Sequence, residues 1–417
     1  MLTAVMLRTD EVQFVKELYP RLREDDAAIE RYRAALDRLP PIVVARGRVL
    51  VDGYHRWQAH IREEQPALLA EDLGNLTDVE IFKESLRRNA SHGVQLVGKD
   101  KRNNADRLYR LLGGDPDERY QEISDLLSVT VNTAKTYCRD ARRDERAQQQ
   151  AAAWDLWLDC WSERAIAECV GVPQSTIGDW LTEIGKNPDF GQPPASRQHF
   201  DVWQFRQVDD DDGTASYFGR MPGQVVENLL WLYTEPGNVV VDPFVGGGTT
   251  IDVAKRMGRR IWASDLTVRA GELRPVHQHD MATGWPADAP RKADLILLDP
   301  PYWQQAAGRY SNEPADFGNM PLAVFMDAWH DVLAACGPHL ADGGHLAFII
   351  SPSVDGDAVI DHAFEMARAA AEHGLMVQRR IIVPYTTEQA TGQQVEWARD
   401  KRQLLKLYRD LVILAAV

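Results

Sequence analysis

The sequence predicts a C-terminal α/β domain with a mostly parallel, doubly wound sheet, preceded by an α+β segment and a helical region. Apolar strands alternate with helical stretches after about residue 238, as in such sheets. Two of these strands end in an acidic residue that is followed by a Gly- or Pro-containing turn. Helical periodicity dominates over 77–185. At 417 residues the chain has room for two or three domains, which we place at 1–95, 96–190 and 191–417.

Composition narrows the class of protein. With 44% hydrophobic and 26% charged residues, the chain is typical of soluble globular proteins. No segment approaches the roughly 20 apolar residues of a membrane span, and the N-terminus lacks a signal-peptide pattern. The four cysteines are far apart, which predicts reduced thiols in the cytoplasm and no metal site.

The net charge of −15 is unevenly distributed along the chain. Residues 1–150 carry 25 Lys and Arg against 26 Asp and Glu, with a basic cluster at 139–146. A polyanion such as DNA would bind clusters of this kind with salt-dependent affinity. The acidic C-terminal part must instead meet its substrate through a local cleft.

In the N-terminal segment the pattern predicts helices over 10–20, 25–38 and 55–64. Alternating β-branched residues around Arg46-Gly47-Arg48 predict a β-hairpin. A Gln- and Ala-rich run at 147–154 predicts a connecting helix, and the prolines and glycine of 188–194 predict a linker.

Two helix-turn-helix patterns lie at 120–140 and 162–184, each with apolar packing positions around a short turn. The second contains Gly171 at its turn. In such units the start of the second helix meets base edges in the major groove, although plain three-helix packing gives the same pattern. The candidate DNA-binding residues are Asn132, Thr133, Lys135, Thr136, Gln174, Ser175 and Thr176.

The segment NVVVDPFVGGGTT at 238–250 reads as a buried strand, an acidic end, a glycine-rich turn and a helix start. Open α/β sheets bind nucleotide-like ligands at such turns. The next strand ends in Asp265, which could accept hydrogen bonds from ribose hydroxyls. A third strand precedes Asp280, and a fourth ends in DPPYW at 299–303.

Together, the D-P-F-x-G-x-G-T-T and D-P-P-Y motifs resemble those of the amino-group DNA methyltransferases, over about 198–417. The resemblance extends to 217–233 upstream and to 401–414, which is similar to that family's last strand. It implies a Rossmann-like methyltransferase domain that binds S-adenosylmethionine. The implied cofactor-binding residues are Asp242, Pro243, Phe244, Gly246, Gly248, Thr249, Asp265 and Asp280, and the implied catalytic residues are Asp299, Pro300, Pro301 and Tyr302. Gly247 departs from the family, which usually has Ser or another small residue there, and a third glycine should loosen the loop.

The chemistry explains these residue types. A base amine is a weak nucleophile, and the Asp299 carboxylate with the Pro300 carbonyl could accept its hydrogens and stabilise developing positive charge. Tyr302 offers a face on which a flipped base stacks, and Trp303 would extend it. Aspartate at 299 favours adenine N6, with cytosine N4 as the alternative.

The N-terminal segment resembles the N-terminal module of ParB-like partition proteins and phage regulators, through VDGYHRWQAH at 51–60 and ESLRRN at 84–89. In that family two boxes bind the triphosphate of CTP or a related nucleotide. Gly53 and Arg56 match the first box; Glu84, Arg87 and Arg88 approximate the second, with Ser85 in place of the usual Asn. Structural ion pairs are an equally weighted explanation of these arginines.

The sequence thus predicts a site-specific DNA methyltransferase with its DNA targeting fused in front. The rival hypothesis is a non-enzymatic ParB-like regulator with a vestigial methylase half. Dimerisation would let each chain read one half-site.

Overall fold

The computed structural model describes residues 3–21, 25–91, 96–205, 212–304, 310–355, 358–385 and 390–416. The chain forms two compact units, Met1–Gln149 and Gln150–Val417. The three-part division at residues 95 and 190 stays a prediction. No helix among the described residues combines the length and the apolar character that a bilayer crossing requires.

The first unit pairs a small mixed sheet with a set of helices. Its elements are β1 (Thr3–Arg8), α1 (Asp26–Arg33), β2 (Ile42–Ala45), β3 (Val49–Asp52), α2 (Tyr54–Arg62), β4 (Ala67–Asp72), α3 (Asp78–Ser91), α4 (Gly98–Leu111), α5 (Pro116–Leu127) and α6 (Val131–Tyr137), and α7 (Arg139–Leu158) begins in it. The sheet order is β1-β4-β2-β3, with β2 parallel to β4 and the other pairs antiparallel. The predicted hairpin is confirmed as β2–β3, whose turn residues Arg46 and Gly47 both have positive φ.

The helix predicted over 10–20 is wrong. Only two short 3-10 turns form there, Thr9–Glu11 and Lys16–Leu18. The backbone of Gln13 instead bonds to β3: its N–H donates to Arg48 O (2.9 Å), and the Leu50 N–H donates to its carbonyl (2.9 Å). A backbone group that bonds across to a strand is no longer available for a helical bond, so tertiary pairing overrides the local pattern.

The first helix-turn-helix pattern is confirmed as α5 and α6. Ile123, Leu126 and Leu127 of α5 are buried against Ala134 of α6, in the core shared with α3 and α4. The Thr130 side chain accepts the Thr133 N–H and caps α6. The expected connecting helix is also present, as part of the 20-residue α7.

The second unit contains a helix pair, a large sheet with further helices, and a separate two-stranded sheet. Its elements are α8 (Glu163–Val170), α9 (Gln174–Gly185), α10 (Gly223–Tyr233), β5 (Val239–Asp242), α11 (Thr249–Arg256), β6 (Arg260–Asp265), β7 (Val276–Gln278), β8 (Ala293–Leu298), α12 (Leu322–Cys336), β9 (Leu340–Ile350), β10 (Ser353–Asp355), β11 (Ala358–Ile360), α13 (His362–Glu372), β12 (Leu375–Pro384), α14 (Gly392–Lys401) and β13 (Tyr408–Ala416).

The large sheet is Rossmann-like and mostly parallel, as predicted. Its order is β12-β13-β9-β8-β5-β6-β7, with β5 to β9 parallel and β13 antiparallel to both neighbours. Apolar side chains cover both faces, Phe348 and Trp329 on one and Ile349 and Leu229 on the other. Strands buried on both faces read as continuous apolar runs, which explains why β5 and β8 were recognisable in the sequence.

The second helix-turn-helix pattern is confirmed as α8 and α9. Gly171 ends α8 at φ 76°, and Ile166 packs against Ile177 and Trp180. The segment predicted as a linker begins with a 3-10 turn, Pro188–Gly191, and the Phe190 ring stacks on Trp154 with centroids 5.5 Å apart.

Candidate active site

One cavity of about 890 Å³ lies at the carboxyl ends of the parallel strands. Because β5 and β8 are hydrogen-bonded neighbours, the glycine-rich loop and the DPPY loop emerge side by side and both line it. The lining includes these residues from the predicted set: Asp242, Phe244, Gly246, Thr249, Asp265, Asp280, Asp299, Pro301 and Tyr302. The predicted residues Pro243, Gly248 and Pro300 are not among those that line it.

The glycines of the loop make room for a neighbouring ring. Gly246 has φ 51°, and a Cβ on it would lie 2.9 Å from a ring carbon of Tyr217. A Cβ on Gly247 would lie 3.1 Å from Tyr217 Cβ, closer than ordinary van der Waals contact. Gly247 therefore permits close packing of Tyr217 onto the backbone, while the expectation that the third glycine loosens the loop stays a prediction.

Asp242 lies beneath this loop and is buried. Its Oδ1 accepts the Phe244 N–H at 3.0 Å. Burial raises the pKa of Asp242 to about 7, against the opposing effect of a hydrogen bond from Thr250. The adjacent Gly248, at φ 85°, precedes α11, which begins with Thr249.

Asp265 connects its strand to the glycine loop. Its Oδ2 accepts the Gly246 N–H at 2.9 Å, and its Oδ1 accepts the Thr267 N–H at 3.3 Å. Burial raises the pKa of the Asp265 carboxyl above its usual value. Asp280 caps a 3-10 turn by accepting the Ala282 N–H at 3.0 Å. Two carboxylates at neighbouring strand ends thus face the same cavity.

The DPPY loop begins at the end of β8. The Tyr302 hydroxyl donates to Asp299 Oδ1 at 3.1 Å. Burial raises the pKa of Asp299 to about 6, while Arg409 and Tyr302 act to lower it. Above pH 6 the Asp299 side chain is therefore a negatively charged hydrogen-bond acceptor. Trp303 does not extend the stacking face as expected, because it is buried and its indole N–H donates to Met320 O at 3.0 Å.

Several lining residues were missed by the motif analysis. Tyr310 and Tyr385 add to the aromatic wall, and the Arg409 guanidinium lies 4.7 Å from the centre of the Tyr385 ring. Arg409 lies in the strand recognised by resemblance, yet no local signal marks its side chain as part of the site. Tyr217 and Phe218 fall in the upstream segment that the resemblance had included, without a role for either.

The candidate DNA-binding residues lie at the starts of α6 and α9. Asn132, Lys135 and Thr136 are exposed and Thr133 is half-buried. Lys135 pairs with Asp117 at 2.9 Å, and Thr136 Oγ1 donates to Asn132 O at 2.9 Å. In the second unit, the chain presents Gln174 and Ser175 as exposed residues and Thr176 as half-buried.

The predicted nucleotide-binding residues form ion pairs within the first unit. Arg56 Nη2 donates to Asp52 at 2.8 Å and Arg56 Nη1 to Pro41 O at 2.8 Å, beside Gly53 at φ 96°. Arg88 Nε donates to Glu84 at 2.8 Å, and Arg87 approaches the same carboxylate at 3.5 Å. These contacts agree with the structural explanation of the arginines and do not test nucleotide binding.

Comparison with known proteins finds similarity to DNA methylases over part of the chain. A model described as DNA methylase matches residues 117–267, which includes the glycine loop and Asp265. The type II methyltransferase M.BglII of Bacillus subtilis is 29% identical over 113 residues, 27% of this chain. The match spans only 31% of that protein's length.

Solved structures resemble the chain only weakly. TrmN from Thermus thermophilus is 18% identical, with a TM-score of 0.32, over 48% of this chain and 50% of that one. The chromosome-partitioning protein ParB from Caulobacter crescentus, complexed with CTP-γ-S, is 14% identical, with a TM-score of 0.20, over 33% and 77%. At TM-scores this low, neither likeness supports a function.

Proposed function

We propose that the chain transfers a methyl group from S-adenosylmethionine to the exocyclic amine of a DNA base, adenine N6 before cytosine N4. The observation that carries the proposal is the cavity shared by the glycine-rich loop and the Asp299–Tyr302 loop. A donor on one loop and an amine on the other would then be neighbours, and such positioning supplies much of the rate of a bimolecular reaction.

The residues present fit the donor. At about 890 Å³ the cavity falls within the usual range for cofactor sites. Gly246 leaves the loop backbone accessible, while Asp265 and Asp280 offer carboxylate acceptors for ribose and adenine groups. When bound, the donor supplies a methyl group already activated by a sulfonium centre.

The chain's own contribution lies in the DPPY loop. The Asp299 carboxylate would accept hydrogens of the base amine and stabilise positive charge developing on its nitrogen. The aromatic wall formed by Tyr302, Tyr310 and Tyr385 suits a base turned out of the duplex, because each ring offers a face or an edge to it.

Mass spectrometry of nucleosides tests this proposal. Purified protein, isotopically labelled donor and duplex DNA of mixed sequence should give N6-methyladenine. N4-methylcytosine would replace the base assignment but keep the reaction class. Label found only in RNA, or no transfer over a range of salt and sequence, would contradict the proposal. A calorimetric titration without any donor binding would favour the non-enzymatic regulator.

For DNA contact we propose the exposed start of α6, near the basic residues of α7. Asn132 and Thr136 have polar side chains on its exposed surface, which suits contact with base edges or phosphates. Nucleotide binding by Arg56, Arg87 and Arg88 stays a prediction, since a triphosphate would have to displace the carboxylates of Asp52 and Glu84. Dimerisation likewise stays a prediction.

A further inference from the structure

Arg409 is a buried cation that lines the candidate active site. It is the second residue of β13, its backbone pairs with Val383 of β12, and its side chain lies in the wall of the cavity that also holds Asp299. Only 5% of the residue is exposed. Burying a guanidinium is costly unless its charge and its N–H groups are compensated.

The compensation is incomplete within the described residues. Arg409 stacks on Tyr385, but its buried Nε has no hydrogen-bond partner there. Among the described residues it makes no ion pair with a carboxylate. The carboxylate of the neighbouring Asp410 pairs with Arg380 instead, at 2.9 Å. Burial alone would lower the pKa of Arg409, whereas Tyr302, Tyr385 and Asp299 raise it overall.

Arg259 shows what a purely structural arginine looks like in the same unit. It is 1% exposed, and its guanidinium donates to Thr234 Oγ1 and to the carbonyls of Phe190, Met257 and Thr234. Saturation with neutral acceptors is the usual solution for a buried arginine. Arg409 lacks it and faces a reaction cavity, so its charge serves another group.

The group that it serves is Asp299. The Tyr302 hydroxyl donates to Asp299 Oδ1 at 3.1 Å, and Arg409 lines the same cavity as both of these residues. We propose that Arg409 is a positioning residue whose positive charge, in the cavity wall that it shares with Tyr302 and Asp299, keeps the Asp299 carboxylate negatively charged. This inference rests on the proposed function, in which Asp299 must accept hydrogens from the amine.

Other groups near Asp299 cannot replace this charge. The titratable and charged side chains that act on it or feel it are Asp242, Tyr217, Tyr302, Tyr310, Tyr385 and Arg409. Arg409 alone in this set is positively charged at neutral pH. A nearby opposite charge typically lowers a carboxyl pKa by about one to three units, so loss of Arg409 should raise that of Asp299 well above 6.

The experiment compares the pH profiles of methyl transfer by the wild type, Arg409→Met, Arg409→Lys and a control, Arg379→Gln, which alters an exposed arginine of β12. In the wild type the rate should fall on the acid side near pH 6. Arg409→Met should move that limb upward by about one pH unit or more, with donor affinity unchanged within about threefold. Arg409→Lys should restore most of the shift, and Arg379→Gln should leave the limb in place.

An equal loss of rate by Arg409→Met at every pH, with the limb unmoved, would overturn the inference. If Arg409→Met does not fold, Arg409→Gln takes its place, since it removes the same charge and keeps hydrogen-bond donors at the buried position. Direct titration of Asp299 by carbon NMR, assigned with Asp299→Asn, needs no catalysis. An unchanged Asp299 titration refutes the role of Arg409, whereas a shifted titration in a protein that methylates nothing refutes the proposed function alone.

Discussion

Replacement of Asp299 by Asn should separate activity from stability. The side chain keeps its shape and can still accept the Tyr302 hydroxyl, which now lies 3.1 Å from Asp299 Oδ1. The charge is lost, and a hydrogen bond to a charged acceptor contributes about 1–2 kcal/mol more than a neutral one. Methyl transfer at pH 8 should therefore fall roughly 5- to 30-fold, and Asp299→Ala should lose about 10²- to 10³-fold.

Stability should change in the opposite direction. Burial raises the pKa of Asp299 to about 6, from an ordinary value of 3.8. The folded state therefore binds the proton more tightly than the unfolded state, and its stability falls as pH rises from 3.8 through 6. At about 1.4 kcal/mol per unit, the charged carboxylate costs on the order of 3 kcal/mol above pH 6 and nothing below about pH 3.8. Asparagine removes that cost.

Thermal unfolding at two pH values measures this difference. Asp299→Asn should raise the Tm at pH 8 by roughly 5–10 °C and leave it unchanged at pH 4. Asp327→Asn, an exposed aspartate of α12, is the matched control and should shift neither value. Equal stabilisation by Asp299→Asn at both pH values, or destabilisation at pH 8, would refute the burial argument.

Three further outcomes follow from the structure. Asp265→Ala, which removes the carboxylate at the end of β6, should weaken donor binding roughly 10- to 100-fold in calorimetry, and unchanged affinity would remove it from the donor site. Gly247→Ala would place a Cβ 3.1 Å from Tyr217 Cβ, and overpacking of this kind costs about 1–3 kcal/mol. Donor binding should weaken about tenfold as a result; unchanged affinity would show that the Tyr217 side chain moves aside easily. The double variant Asn132→Ala, Thr136→Ala should weaken binding of duplex DNA in anisotropy measurements while donor affinity stays constant, and the reverse pattern would refute a DNA-contacting α6.

The parts of the fold that could be predicted are those whose pattern is local. The strands β5 and β8 are continuous apolar runs, and each is followed directly by its own motif, so both the strands and the loops after them were recognisable. Adjacent parallel strands then place Asp242 and Asp299 at one edge of the sheet. The candidate helix-turn-helix pairs were equally local, because Gly171 and the packing positions lie within about twenty residues of each other.

The remaining parts depend on contacts between distant segments. Arg409 reaches the cavity only because β13 inserts antiparallel between β9 and β12, which no short pattern encodes. The 10–20 segment failed for the same reason, since Gln13 bonds to β3 more than thirty residues away. The assignment of Trp303 to a stacking face failed because a large apolar ring next to a site can equally well be buried in the hydrophobic core, as this one is.

The contact between Gly247 and Tyr217 ties two positions thirty residues apart into one steric unit. The absence of a side chain at position 247 therefore matters for the packing of Tyr217 as well as for the loop itself. The atoms nearest to a Cβ at position 247 would be Cβ, Cγ and Cδ1 of Tyr217. Among chains of the same ancestry, a bulkier residue at position 247 ought therefore to be accompanied by glycine, or at least a residue without a ring, at position 217. Replacing Tyr217 by glycine should therefore relieve the crowding that an alanine at position 247 creates, whereas replacing it by alanine should relieve only the contacts with Cγ and Cδ1.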